Sequence, residues 1–265
     1  MRRTCYGRYW RGSRRSTEGS VEVLVVDIGN SAAHLGAFRK GKLTWRTAVP
    51  PDEPDRALRA IPAGIEGVVL GSVVRGASEL WAEALGRSLG LDPLIASGRS
   101  DWGLEVLYDD PNSVGVDRLS AASEAYHTVG GRVVVVDVGT AITVDAVSDG
   151  GTFLGGIIAP GPKLMASALH EGTSLLPRTE PEPEADLLGR STEDCIRSGL
   201  LYGTASLVDG LVRRVVRKIG GAKVVATGGG LDFILPALEV RPEVVEPNLV
   251  IKGLYRLFVR ERGWR

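Results

Sequence analysis

The chain has 265 residues, of which 43% are hydrophobic, and its 32 Lys and Arg balance its 32 Asp and Glu. That length allows one large domain or two lobes with separate cores. The zero net charge argues against nucleic acid or an anionic membrane as the main partner. No apolar stretch approaches the roughly 20 residues that cross a bilayer. The two cysteines, Cys5 and Cys195, form no metal or disulfide pattern, so we expect a cytoplasmic protein.

The first 20 residues differ in composition from everything that follows. They hold six Arg against one Glu and have no apolar periodicity. Such a segment is compatible with a transit peptide or a nucleic-acid-binding tail. We favour instead a disordered tail, or a start placed too far upstream, with Val21 as the true first residue.

The predicted elements of the first half lead to an irregular segment and then to a helix. In chain order they are strands over 21–27, 33–38 and 43–48, a helix over 55–61, a strand over 67–74, a helix over 77–89 that ends at Gly90, turn-rich residues over 92–116 and a helix over 118–128. The second half has strands over 132–147 and 152–161, a helix over 163–170, an exposed loop over 177–186, a long helix over 192–218, a strand over 222–227 and a last helix over 249–260. We place the boundary between two lobes at residues 21–116 and 117–265.

One strand–turn–strand pattern occurs in both halves, as 23-VLVVDIGNSAAHLGAF-38 and 133-VVVVDVGTAITVDAV-147. Each copy has an apolar run, an Asp, a Gly and small polar residues before the second strand, which predicts a β-hairpin. Glycine lets backbone N–H groups approach an anion, and the Ser, Asn and Thr side chains add donors. Asp27 and Asp137 repel phosphate, so they need a cation or water between them and a nucleotide.

Duplicated hairpins that face phosphates resemble the actin-like ATPase superfamily. This resemblance implies an α/β fold with two actin-like, ribonuclease H-like lobes. Each lobe would be a mixed sheet with flanking helices, and the active site would lie in the cleft. The stretch 224-VVATGGGLDF-233 would then lie near adenosine. The dinucleotide motif G-x-G-x-x-G after the first strand and the P-loop motif are both absent from the sequence.

A loop between the halves, 108-YDDPNSVGVDRLSAA-122, places Asp117 and Arg118 at the start of a helix. A helix N-terminus favours an anion. Locally the two residues read as a helix cap with an ion pair or as a catalytic pair. A kinase needs a carboxylate for the acceptor hydroxyl and a cation for an anionic acceptor.

Taken together, the motifs resemble the type III pantothenate kinase family. In order they are 27-DIGNS-31, 108-YDDP-111, 115-GVDR-118, 137-DVGTAITVD-145, 155-GGIIAPG-161, 176-LPR-178, 189-GRST-192, 199-GLLYG-203 and 227-TGG-229. The likeness runs through residues 21–260. It implies ATP-dependent phosphorylation of pantothenate to 4′-phosphopantothenate, the first step of coenzyme A biosynthesis, by direct in-line transfer.

The resemblance also implies roles for individual residues. Asp117 would be the general base, and Arg118 would bind the carboxylate of pantothenate. Tyr108, Gly115 and Val116 would help shape the acceptor site, and Thr192 would contact pantothenate at a homodimer interface. The ATP site would contain Asp27, Ile28, Gly29, Asn30, Ser31, Ala32, Ala33, His34 and Thr140. Asp137 would hold a monovalent cation, K⁺ or NH₄⁺, which the family requires beside Mg²⁺.

Three positions depart from the family pattern. The first loop of the family usually reads D-x-G-N-T-N-T, whereas this chain has Ala32 and Ala33, which lack polar side chains. Arg197 stands where many relatives carry Gln. Two alternative functions stay open: an actin-like kinase for another small hydroxylated acceptor, and a non-catalytic regulator of the same fold. Asp117, Arg118 and Asp137 together favour catalysis.

Overall fold

Two β-sheets form the frame of the structure, a computed structural model that describes residues 22–264. The first sheet contains β1 (Glu22–Ile28), β2 (Ala33–Arg39), β3 (Lys42–Val49), β4 (Ile65–Ser72) and β5 (Leu94–Ile95), in the order β3-β2-β1-β4-β5. The second contains β6 (Glu105–Val106), β7 (Val133–Val138), β8 (Ala141–Val147), β9 (Thr152–Pro160), β10 (Lys223–Thr227) and β11 (Val244–Val245), in the order β11-β10-β7-β8-β9-β6. The predictions for residues 1–20 lie outside the described range.

The two sheets repeat one topology. Strands β1 to β3 in the first sheet and β7 to β9 in the second are antiparallel neighbours. The two strands that come next in the chain, β4 and β5 or β10 and β11, are parallel to the first of these and follow helical crossovers. The last strand of each set, β5 or β11, lies at the edge of its sheet. The hairpin repeat seen in the sequence is therefore part of a repeat of a whole sheet, with β6 added to the second copy.

Helices flank both sheets. They are α1 (Pro54–Leu58), α2 (Ala77–Leu89), α3 (Val116–Val129), α4 (Pro162–Glu171), α5 (Thr192–Ser198), α6 (Thr204–Ile219), α7 (Leu231–Ile234) and α8 (Leu249–Arg262). α2 ends at Gly90 in a left-handed conformation, as predicted. The long helix expected over 192–218 is present, and a π-helical turn at Gly199–Gly203 lies within it, between α5 and α6. α1 is shorter than expected, and neither α7 nor β11 was predicted.

The alternation of side chains along each central strand creates the layers. In β1, Val23 and Val25 pack toward α3 and α8, whereas Leu24, Val26 and Ile28 belong to the core beneath α1 and α2. In β7, Val133 and Val135 pack toward α3 and α8 in the same way, and the intervening valines belong to the core with α6 and α7. α3 and α8 therefore lie between the two sheets.

This period of two also determines where the predicted site residues point. Asp27 follows Val23 and Val25 at spacings of two, and Asp137 follows Val133 and Val135. Both aspartates consequently face the layer between the sheets rather than an outer core. The N-terminus of α3 lies in the same layer.

Two elements cross the proposed boundary between the lobes. α8, at the end of the chain, packs on β1, β4 and α3. It crosses α3 so closely that a Cβ atom at Gly253 would lie 2.1 Å from the Ser120 carbonyl oxygen. β6, from the first half, pairs with β9 of the second sheet. The division at residues 116 and 117 stays a prediction.

In the part of the chain that the structure describes, none of the helices combines the length and the apolar character that crossing a membrane requires.

Candidate active site

The two hairpin turns meet across the layer between the sheets. The Ser31 Oγ atom lies 2.7 Å from the Thr140 Oγ1 atom, and both residues are exposed. Each turn is closed by a glycine N–H: Gly29 donates to the Ala32 carbonyl at 3.0 Å, and Gly139 donates to the Ala141 carbonyl at 2.9 Å. The turns therefore present hydroxyl groups from both halves of the chain to one space.

A third glycine-rich turn packs against the second hairpin. Gly228 follows β10 with a φ of +101°, and a Cβ atom there would lie 2.4 Å from the Asp137 Oδ1 atom. The Gly230 N–H donates to the Val138 carbonyl at 2.7 Å. Only glycine allows residue 228 to approach Asp137 this closely. The sequence predicted that this stretch belongs to the nucleotide site but not that it contacts Asp137.

The turn after β9 supports the second hairpin from another side. Gly161 donates its N–H to the Thr140 carbonyl at 2.9 Å. A Cβ atom at Gly161 would lie 2.1 Å from the Gly139 carbonyl oxygen. The backbone of 155-GGIIAPG-161 thus fixes the turn that carries Thr140.

Asp117 lies in the first turn of α3 and is half-buried. Its Oδ1 atom accepts the Arg118 backbone N–H at 2.7 Å. A Cβ atom at Gly115 would lie 2.5 Å from the same oxygen, so glycine leaves room for this carboxylate. Burial raises the pKa of Asp117, while the N–H and the charge of Arg118 oppose that rise.

Three carboxylates influence one another in the cleft. Burial, followed by the charges of Asp117 and Asp137, raises the pKa of Asp27 to about 8. Burial, followed by the charges of Asp117 and Asp145, raises the pKa of Asp137 to about 7. Carboxylates that destabilise each other's charge favour a bound cation. Their oxygens suit Mg²⁺ and monovalent cations, so this donor set fits both predicted ions. Among residues 22–264, however, no cluster of three or more His, Cys, Asp or Glu side chains forms a metal site by itself.

Arg118 makes its ion pair with Asp145 rather than with its neighbour Asp117. Its Nε atom donates to the two carboxylate oxygens of Asp145 at 3.0 and 3.2 Å, and its Nη2 atom donates at 2.5 Å. The side chains are 8% and 2% exposed. Burial would lower the pKa of Arg118, but Asp145 and then Tyr108 raise it. From the sequence we considered an ion pair between Asp117 and Arg118 at the start of the helix. In the structure Arg118 pairs with Asp145 instead.

Asp145 was not singled out from the sequence, although a signal was present. Asp145 lies in β8, two residues before Val147. The side chain of Val147 packs in the core beside α3, and the period of two places Asp145 on the same face of the strand. A carboxylate in the middle of a buried strand requires a partner. The partner could not be identified because it comes from α3, 27 positions earlier.

Aromatic rings border this ion pair. The Arg118 guanidinium carbon lies 5.7 Å from the centre of the Phe153 ring. The Tyr108 ring lies 6.1 Å from the Phe153 ring at an angle of 44°. Gly155 has a φ of +96°, and a Cβ atom there would lie 3.4 Å from the Tyr108 ring. Tyr108 and Arg118, both predicted for the acceptor site, are therefore brought together.

Other predicted site residues have different environments. The side chains of Ile28 and Ala33 are buried in the core of the first sheet, and that of Val116 is buried between the sheets. His34 is half-buried, and burial followed by the charge of Arg46 lowers its pKa. Thr192 is exposed as the first residue of α5, and none of the hydrogen bonds within the described chain joins it to the cleft residues.

The departures from the family pattern now have a structural context. Ala33 faces the outer core, so its side chain does not replace a donor on the phosphate side. Ala32 closes the turn through its carbonyl, and a backbone group needs no particular side chain. Arg197 bonds Glu193 at 2.6 Å and Glu182 at 3.4 Å, and so connects α5 to the loop over 177–186.

Comparisons with known proteins identify the family. The profile of the family described as type III pantothenate kinase matches residues 23–214. A type III pantothenate kinase from Acidiphilium cryptum is 37% identical over 254 residues, which cover 89% of this chain and 94% of that protein. One from Moorella thermoacetica is 35% identical over 252 residues, which cover 90% and 99%.

Solved structures share the fold at lower sequence identity. A conserved Campylobacter jejuni protein described as a Baf family transcriptional activator has a TM-score of 0.57 and 22% identity, covering 91% of this chain and 98% of that one. A ROK family glucokinase from Streptomyces griseus, in complex with glucose and AMPPNP, has a TM-score of 0.50 and 14% identity, covering 90% and 99%. The predicted two-lobed actin-like fold is confirmed.

Proposed function

The chain belongs to the type III pantothenate kinase family and phosphorylates pantothenate with ATP in coenzyme A biosynthesis, and we propose that Asp117 acts as the general base in a direct in-line transfer. The observation that supports the mechanism is the contact between the two hairpin turns at Ser31 and Thr140, since each turn follows a strand that carries Asp27 or Asp137 near its end.

In the proposed reaction the primary hydroxyl oxygen of pantothenate attacks the γ-phosphorus of ATP. The bond between that phosphorus and the β–γ bridging oxygen breaks, ADP leaves and the hydroxyl proton passes to Asp117. Kinases act mainly by positioning and by stabilising charge, and a carboxylate orients the acceptor hydroxyl. The raised pKa of Asp117 brings its proton affinity closer to that of a working base near neutral pH.

The hairpin turns would hold the phosphates. The turns that contain Gly29 and Gly139 expose backbone, and Ser31 and Thr140 each carry a hydroxyl that can donate to a phosphate oxygen instead of to the other. The glycine turn at 228–230 lies against Asp137 and would approach the nucleotide from the second sheet.

Asp27 and Asp137 would hold the cations. We assign Asp137 to K⁺ or NH₄⁺, and Mg²⁺ would accompany ATP near Asp27. When bound, these ions neutralise phosphate charge. The carboxylates supply oxygen ligands, and their pKa values are raised first by burial and then by the charges of the neighbouring carboxylates.

The acceptor would bind between Asp117 and the Tyr108–Phe153 rings, with its carboxylate on Arg118. The Nη1 atom of Arg118 takes no part in the bonds to Asp145. Gly115 and the backbone of Val116 would complete the wall of this pocket at the start of α3.

A homodimer would complete the acceptor site through the partner subunit's Thr192. The support is an exposed apolar surface on β9, α4 and the loops that follow. Its large residues are Leu154, Ile158, Leu164, Leu169, Leu175, Leu187 and Leu188, which are 38% to 92% exposed. Exposed apolar residues grouped on neighbouring elements favour association. We expect the dimer to work in the cytoplasm.

An acceptor panel tests the proposal. Purified chain with ATP, Mg²⁺ and K⁺ is given pantothenate, pantetheine or glucose, and ADP release is measured with a coupled assay. Turnover highest with pantothenate supports the proposed function. Higher turnover with another hydroxyl compound would favour the alternative kinase, and no turnover with any acceptor would favour the non-catalytic regulator.

A further inference from the structure

Asp145 and Arg118 form a buried ion pair between the second sheet and the start of α3. Three hydrogen bonds of 2.5 to 3.2 Å join them, and both side chains are more than nine-tenths buried. Asp145 belongs to β8 and Arg118 to α3. The pair therefore holds the side chain of Arg118, which we assign to the acceptor site, against the second sheet.

The fold preserves space for this carboxylate. Gly156 lies opposite Asp145 in the β8–β9 pairing. A Cβ atom at Gly156 would lie 2.1 Å from the Asp145 Oδ1 atom, which no side chain allows. Gly155 makes similar room for the Tyr108 ring. Adjacent glycines thus accommodate the two groups that border Arg118.

Stability alone does not account for such a pair. Removing two charges from water costs several kcal/mol per ion, and apolar residues of equal volume often stabilise a fold as well or better. A buried pair is better suited to holding a charged group in one orientation. Here the group is Arg118, whose neighbour Asp117 would otherwise compete for the guanidinium.

The hydrogen-bond pattern determines which part of Arg118 is left for a ligand. A guanidinium is a planar fork with five donors, and each of its edges can hold one carboxylate through two parallel bonds. Asp145 occupies the edge made by Nε and Nη2. The edge made by Nη1 and the second Nη2 hydrogen takes no part in these bonds, and Tyr108 is its neighbour. A second carboxylate would bind at this edge, beside the Tyr108 ring.

We propose that Asp145 is a positioning residue that fixes Arg118 so that its remaining edge binds the carboxylate of the acceptor. Asp145 would therefore make the enzyme prefer an acceptor with a free carboxylate over a neutral amide of that acceptor. This inference rests on the proposed function, because it requires pantothenate to bind at Arg118.

The test compares pantothenate with pantetheine, which has an amide in place of the carboxylate. In Asp145→Asn we expect the KM for pantothenate to rise about 10- to 100-fold, since a misplaced Arg118 loses 1.4 to 2.7 kcal/mol of binding by the usual conversion. We expect kcat to stay within about threefold and the KM for pantetheine to change little. The preference between the two acceptors should consequently collapse.

Asp209→Asn is the matched control. Asp209 is another buried carboxylate, 4% exposed, on α6 at the opposite face of the second sheet, where it accepts the backbone N–H groups of Glu239 and Val240. This variant should lower Tm but leave the acceptor preference unchanged. Asp145→Glu, which keeps the charge but moves the carboxylate, should show a weaker form of the Asp145→Asn defect.

A folded Asp145→Asn protein with wild-type KM and preference would overturn the inference. If both Asp145 variants fail to fold while Asp209→Asn folds, the pair is structural and the inference is also rejected. Failure of the proposed function looks different, because the wild-type chain itself would then not phosphorylate pantothenate.

Discussion

The Ser31 hydroxyl lies 2.7 Å from the Thr140 hydroxyl, although 109 positions separate these residues in the chain. Each residue belongs to the turn of a hairpin that begins with an aspartate-tipped strand. The contact therefore joins equivalent points of the two repeated sheets. It brings together the side chains that we assign to the phosphates of ATP.

Ser31→Ala and Thr140→Ala should each raise the KM for ATP about three- to tenfold, because each removes one hydrogen bond of about 1 kcal/mol. The Tm should change little, since both hydroxyls are exposed. Steady-state kinetics of the single and double variants would show less than additive losses, because the hydroxyls are partners. Ser206→Ala, on the exposed side of α6, is the control. Unchanged KM in both variants would contradict the phosphate assignment.

Asp117→Asn should lower kcat about 10²- to 10⁴-fold, the usual effect of removing a general base. The fold should be retained, because burial already disfavours the charge of Asp117 and an amide has similar shape. A coupled ADP assay and a thermal melt check the two effects. Asp109→Asn changes an exposed carboxylate of the same loop and should be close to wild type. A kcat within threefold of wild type would show that Asp117 is not the general base.

Replacing K⁺ by Na⁺ at constant ionic strength should lower kcat/KM at least about tenfold, a difference of 1.4 kcal/mol. Asp137→Asn should be equally slow in both salts, because the carboxylate that we assign to the monovalent ion is gone. Rates in choline chloride provide the baseline without either ion. Equal rates of the wild-type enzyme in K⁺ and Na⁺ would contradict the assignment of Asp137.

The apo protein should lose stability as the pH rises from about 4 to 8. The pKa of Asp27 is 3.8 in a model peptide and about 8 in the fold, so the native state holds a proton that the unfolded state releases. The stabilising effect is complete below pH 3.8 and is lost as the pH passes 8. Asp27→Asn should be more stable than wild type by about 1 to 2 kcal/mol at pH 8 but not at pH 4.

Thermal melts between pH 4 and 8.5, without divalent ions, measure this difference. Asp52→Asn, at an exposed site, should follow the wild-type curve at every pH. Addition of Mg²⁺, K⁺ and ATP should raise the wild-type Tm most at high pH, where Asp27 is most readily ionised. Parallel curves of Tm against pH for wild type and Asp27→Asn would show that the fold does not raise the pKa of Asp27.

Ile158→Glu should convert the dimer into a monomer. Ile158 is 63% exposed on β9 and is one of the apolar residues assigned to the interface. A buried charge without a partner costs several kcal/mol in an interface. Sedimentation velocity measures the mass, and kcat/KM should fall at least about tenfold because the partner subunit's Thr192 is lost. Leu80→Glu, at a 44% exposed position on α2, should stay dimeric and active. A dimeric Ile158→Glu protein would place the interface elsewhere.

Local sequence patterns predicted most of the strands and helices, because these elements depend mainly on residues that are close together in the chain. The period of two in 23-VLVVDIG-29 and 133-VVVVDVG-139 predicts both strands, the glycine turns and the side of the sheet on which Asp27 and Asp137 lie. Gly90 ends α2 where only a left-handed residue fits. The π-helical turn at Gly199–Gly203 had no such signal. Its residues keep the apolar pattern of a helix, so the sequence did not distinguish this turn from the regular helix around it.

The sequence alone determined the repeat, the family resemblance and the positions of the acidic strand ends, since these follow from residue type and spacing. Only the tertiary structure decided which distant groups meet. The Ser31–Thr140 contact depends on how two sheets face each other across α3 and α8. The choice of Asp145 rather than Asp117 as the partner of Arg118 depends on the room that Gly156 leaves in the next strand. Contacts between elements depend on packing geometry, which no local pattern of side chains records.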